Sequence, residues 1–189
     1  MTGENAGSHF IRLFDNSMPS TSQHPIYISV IGGDRDHTTP EGLEIAEEIG
    51  RLVAMNDCIL VNGGMGGTME RAAKGAKSAG GTTIGILSTT DRNQANAYID
   101  YAIPTPLGFV RNVLVANASD AVIALPGKWG TSNELSFAMM AGVPVVALQG
   151  WEVNLRNDNG QAQYSEVTYA RDAAEAVDLA IKLALQWRQ

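Results

Sequence analysis

The sequence is poor in several things, and each scarcity removes a class of protein. One cysteine, Cys58, stands in 189 residues, so no disulfide framework staples the chain, and a reducing compartment fits. Cys58 itself begins an apolar run and reads as core packing. No apolar stretch approaches the ~18 residues of a membrane-spanning helix, and the first residues lack the apolar core of a signal peptide. Both point to a cytoplasmic protein that stays out of membranes. Basic residues are outnumbered, with 13 Lys and Arg against 20 Asp and Glu and a formal charge of −7. That field disfavours nucleic acid, whose phosphates want a basic footprint. It does not disfavour a small anion, which a few backbone amides and one arginine hold locally. Metal ligands are scarce as well. Asp34-Arg35-Asp36-His37 is the tempting cluster, but no second group completes it, so it reads as a solvated loop and no metal is expected.

Glycine is what the chain has in plenty, 20 residues against 6% aromatics, which suggests tight turns and close backbone approaches. Residues 1–24 are polar and mixed and read as a loose tail, with an apolar patch from Phe10 to Phe14. From residue 25 to 189 short β-branched runs alternate with helical stretches. That pattern predicts one Rossmann-like α/β/α domain with a mainly parallel, doubly wound sheet. Strands are expected over 26–31, 58–61, 82–87, 99–103, 120–125 and 143–148, with an edge strand near Val167. Thr39-Pro40 reads as a helix cap followed by proline in the first turn. Further helices are expected from Gly67 to Gly80, over 108–118, from about Thr131 to Gly142, and over 171–186. The polar stretches 88–98 and 150–163 read as loops.

Three glycine-bearing turns follow three predicted parallel strands: Gly32-Gly33, then Gly63-Gly64-Met65-Gly66-Gly67, then Gly127-Lys128-Trp129-Gly130-Thr131. Loops that follow parallel strands emerge at one edge of the sheet, where ligands bind at the switch in strand order. Glycines admit a phosphate to the backbone, and a helix N-terminus offers unpaired N–H groups and a positive dipole end. The candidate phosphate or ligand contacts are therefore Gly32, Gly33, Gly63, Gly64, Gly66, Gly67, Gly127, Gly130 and Thr131, with Asp34 facing the pocket from its place beside Gly33. The plainer alternative is that each glycine only makes a strand-to-helix turn.

The segment Pro126-Gly127-Lys128-Trp129-Gly130-Thr131-Ser132-Asn133-Glu134 resembles the Pro-Gly-Gly-x-Gly-Thr-x-x-Glu motif of the LONELY GUY (LOG) family. Asn62-Gly63-Gly64 to Gly67, Gly80-Gly81, Ile84 to Leu87, Arg111-Asn112 and Asp120 to Leu125 extend the resemblance over roughly residues 28–148. Gly32-Gly33-Asp34 and the Arg-Asn pair look closest to a branch holding DprA-related proteins and the molybdenum cofactor carriers. The resemblance implies a Rossmann-like fold in homodimers or homotetramers. It also implies hydrolysis of the N-glycosidic bond of a nucleoside 5′-monophosphate, with Glu134 and Arg111 in the positions of the catalytic pair. No cofactor is then required, though a nucleotide or a molybdopterin-type ligand would fit the carrier branch.

Two residues depart from the hydrolase pattern. Lys128 replaces the motif's second glycine, where a positive φ would strain it; it is read as a cation for the phosphate or as a side chain that crowds the pocket. Asn112 stands where the hydrolases usually carry lysine. Glu134 has a plainer reading too, because Thr131-x-x-Glu134 also fits a capping box. Arg111 could also be a solvated helix residue or an ion-pair partner. Leu135, Phe137 and Met140 suggest a subunit face or simply core.

Overall fold

The computed structural model describes residues 24–150 and 167–188. The tail, its Phe10 to Phe14 patch and nearly all of the 150–163 loop lie outside the described residues. Among the described residues seven strands form one parallel sheet: β1 (Tyr27–Ile31), β2 (Ile59–Asn62), β3 (Thr83–Leu87), β4 (Tyr101–Pro104), β5 (Ala121–Ala124), β6 (Val145–Leu148) and β7 (Val167–Ala170). Their order is β4-β3-β2-β1-β5-β6-β7. The chain builds outward from β1 on one side and then returns to place β5 on the other. The switch in order therefore lies between β1 and β5, where Ile28 pairs with Ala121 and Ile31 with Ala124. Pro104 is the last residue of β4 rather than the residue beyond its end, which an edge strand tolerates.

Three helices cover one face of the sheet: α1 (Pro40–Met55), α2 (Thr68–Ser78) and α5 (Ala173–Trp187). The Thr39 hydroxyl accepts the Gly42 N–H at 3.0 Å, and proline follows at the first helical position, as the sequence predicts. A Cβ on Gly50 would lie 1.8 Å from the Ala72 carbonyl oxygen, and one on Gly75 would lie 1.8 Å from that of Glu47. These reciprocal glycines bring α1 and α2 together backbone on backbone.

Among the described residues the other face carries α3 (Asn112–Asn117) and α4 (Trp129–Met140) over a second apolar cluster. The helix expected over 108–118 is split. A 3-10 turn, Gly108–Arg111, leads into the six residues of α3. α4 begins at Trp129, with Lys128 at the N-cap and no side-chain capping bond. The capping-box alternative for Thr131 and Glu134 is thereby corrected, since both lie inside the helix, past the position a cap occupies.

Candidate functional site

The loops that leave β1, β2, β3 and β5 enclose a cavity of about 290 Å³ at the switch point, near the lower end for small-ligand sites. From the expected set, Gly32, Gly33, Asp34, Gly63, Lys128, Gly130, Thr131, Arg111 and Glu134 line it. Gly64, Gly66, Gly67 and Gly127 do not; each makes room for protein. A Cβ on Gly64 would sit 2.5 Å from a Leu87 methyl, and one on Gly66 would meet the Arg35 side chain at 2.5 Å. Gly67 lies against the backbone of Gly33 and Asp34, and Gly127 against the Thr131 hydroxyl. These four are the packing that holds the loops together at the cavity's edge.

Arg111 and Glu134 meet at the cavity, the first from the end of the 3-10 turn and the second from α4. Arg111 Nη1 donates to Glu134 Oε1 at 3.2 Å, with both side chains about nine-tenths buried. The guanidinium lies over Gly63, where any Cβ would fall 2.4 Å from Nη2. Arg111 Nε is buried and has no hydrogen-bond partner among the described residues. Burial pushes the Glu134 carboxyl up to about 7, even though Arg111 pulls it down. The arginine, held charged by that carboxylate, has its own pKa lowered by desolvation.

α4 brings its N-terminus to the cavity. The first-turn amides of a helix lack helical carbonyl partners, and Gly130 and Thr131 from that turn border the cavity. Lys128 has φ −113° and ψ −152°. That is extended backbone open to any residue, so the feared positive-φ strain is absent and the side chain sits at the cavity. Asn112 Nδ2 lies 3.4 Å from the Gly130 carbonyl and 3.3 Å from Asn133 Oδ1, tying α3 to α4.

Sequence reasoning missed several groups that line the same cavity: His37, Met65, Met69, Ser88 and Phe109. His37 was signalled only by its closeness to Gly33, because its charged neighbours resemble an ordinary surface loop. The methionines and Phe109 give the cavity an apolar share, which matches a ligand with a flat or hydrophobic part.

A family model described as the SLOG cluster4 family matches residues 25–177. A protein of Archaeoglobus fulgidus is 41% identical over 123 residues, covering 65% of this chain and 79% of its own. The cytokinin riboside 5′-monophosphate phosphoribohydrolase of Mycobacterium tuberculosis is 33% identical over 123 residues, or 60% of this chain and 66% of that enzyme. Among solved structures, the molybdenum cofactor binding protein of Rippkaea orientalis superposes with a TM-score of 0.74 at 32% identity, over 86% of this chain and 99% of that one. The molybdenum cofactor carrier protein of Chlamydomonas reinhardtii gives 0.71 at 32%, over 85% and 98%. DNA processing protein A of Helicobacter pylori, at 20% identity and TM-score 0.59, shares the fold alone. The chain belongs to the SLOG cluster4 family, within the superfamily that also holds the LOG phosphoribohydrolases and the molybdenum cofactor carriers.

Proposed function

We propose that the cavity binds a small phosphorylated ligand and that the chain hydrolyses the N-glycosidic bond of a nucleoside 5′-monophosphate. The observation that carries this reading is the buried Arg111–Glu134 pair, bordering the same cavity as the first turn of α4. The α4 amides and Lys128 take the phosphate, by helix dipole and by charge. The sugar then lies toward Glu134. Cleavage passes through an oxocarbenium-like state, which a carboxylate stabilises while it takes a proton from water. A carboxyl near 7 is matched to that work at neutral pH. Arg111 holds the carboxylate in place, and its unpartnered Nε is left for the ligand. Incubation with AMP and related monophosphates should release free base and ribose 5-phosphate, measured by chromatography. Glu134→Gln should slow release about 10²-fold, the scale of a positioned acid–base group. A normal rate in that variant removes Glu134 from the chemistry.

A second reading, a carrier or sensor that binds without turnover, is favoured by Lys128 and Asn112 and by the likeness to molybdenum cofactor proteins. In that case protein purified under native conditions carries a pterin or a nucleotide in its mass spectrum, and no base appears.

The domain assigned to binding is residues 25–189, and the cytoplasm is its place. The α3–α4 face fits a subunit contact, because Phe109 and Trp129 are 86% and 81% exposed there. Light scattering should then report a homodimer or homotetramer, and Phe109→Asp should shift it toward monomer.

A further inference from the structure

One pair of titratable side chains at the cavity is not used by the mechanism above. His37 borders the cavity from the loop between β1 and α1. Its Nδ1 lies 2.5 Å from Asp34 Oδ1. The same oxygen accepts the Asp36 N–H at 3.1 Å, which holds the carboxylate as it holds the ring. With Nδ1–H donated to the Asp34 carboxylate, the second proton of the imidazolium is the one on Nε2, the remaining polar atom of the ring. Nε2 has no hydrogen-bond partner among the described residues.

The loop is a built element. The Gly33 N–H donates to the Pro126 carbonyl at 2.9 Å, and the Thr68 N–H donates to the Gly33 carbonyl at 3.0 Å. The His37 N–H closes a turn on the Asp34 carbonyl at 3.1 Å. A side chain on Gly33 would strike the His37 carbonyl oxygen, at 2.1 Å from its Cβ. The loop precedes α1, on one face of the sheet, whereas Glu134 belongs to α4 on the other. The histidine and the carboxylate thus reach the cavity from opposite layers. Glycoside cleavage divides its labour in the same way, with a proton donor on the leaving group and a carboxylate on the water.

We propose that His37, oriented by Asp34, is the general acid that protonates the departing base. The assignment rests on the hydrolytic reading and adds the group that reading leaves out. The C1′–N bond breaks, and its electron pair passes into the base. A ring nitrogen of the base takes the Nε2 proton of the His37 imidazolium, leaving the neutral ring with its Nδ1–H on Asp34. Water bonds to C1′ as its proton goes to the Glu134 carboxylate. Glu134 then gives its proton to solvent and the imidazole takes one back, leaving free base and ribose 5-phosphate.

The test compares guanosine 5′-monophosphate with its 7-methyl counterpart, which has the same outline but whose base leaves neutral without a proton. His37→Gln should lower base release from the unmethylated nucleotide about 10²-fold and from the methylated one by far less, shifting the ratio of rates tenfold or more. Asp34→Asn, a positioning change, should shift the same ratio in the same direction by a smaller factor, which a general loss of structure would not do. Glu134→Gln should lower both rates and leave the ratio alone. Equal losses on both substrates, or no loss, in the His37 variant overturn the assignment and leave hydrolysis standing. No base from either substrate with the unmodified protein overturns the hydrolytic reading, and the acid with it.

Discussion

Two ion pairs, one largely and one almost wholly buried, lie at opposite ends of the same sheet, and they are finished to very different degrees. At the end where β1 and β5 begin, Arg188 grips Asp120 with Nε at 2.7 Å and Nη2 at 2.5 Å. The same guanidinium donates to the carbonyls of His24 and Pro25, and Asp120 also accepts the Tyr27 N–H at 2.8 Å. At the end where those strands finish, Arg111 and Glu134 share one 3.2 Å bond, and a buried donor stays unpaired. Burying charge costs free energy that only full hydrogen bonding returns. The first pair has that compensation and ties the C-terminal helix to the first strand. The second has hydrogen-bonding capacity left over, and it faces a cavity.

Exchanging the two arginines for apolar residues sharpens this contrast. Arg188→Ala strands a buried carboxylate and should cost about 3 kcal/mol of stability, read by urea unfolding, with base release per folded molecule unaltered. Arg111→Met should cost less stability, because Glu134 is able to stay protonated. It should weaken ribose 5-phosphate binding about 10- to 100-fold, the worth of one charge-assisted hydrogen bond, read by calorimetry. The reverse pattern would break the comparison.

The titration of Glu134 gives a subtler effect. Its folded pKa, about 7, is raised from 4.5 by burial. Between those values the folded chain holds a proton that the unfolded chain has lost. Its stabilising contribution is therefore complete below about pH 4.5 and is lost as pH rises through about 7. Unfolding free energies at several pH values should fall across that window for the unmodified protein and stay flatter for Glu134→Gln. Base release should rise over the same range as the carboxylate forms.

The smallest effect is expected at Lys128. Its backbone is extended, so Lys128→Gly should leave the fold intact, glycine at an N-cap costing only a few tenths of a kcal/mol. Phosphate affinity should fall about three- to tenfold, a fraction of one charge-assisted contact. Unchanged affinity would make the lysine a bystander.

The sheet and its flanking helices were legible because β-branched runs and capped helical stretches alternate at βαβ spacing, and Thr39-Pro40 marked a helix start to the residue. The start of α4 was harder. Gly130-Thr131 looks like a cap from sequence, and only the fold shows the helix opening at Trp129. The stretch after Gly108 read as one helix because local propensity does not separate a 3-10 turn from an α turn. At the cavity, Arg111 and Glu134 stood out through their motif. His37 did not, because an acid-rich loop has the same composition whether it faces water or a cleft. Glycine pattern also said less than it promised, since Gly64, Gly66, Gly67 and Gly127 serve neighbouring protein atoms.

The backbone seam between α1 and α2 has one more consequence. Gly50 and Gly75 leave no layer of side chains between the helices that could slide or repack. The loops that open those two helices, one bearing His37 and the other Met65, are therefore spaced like jaws bolted to a single plate.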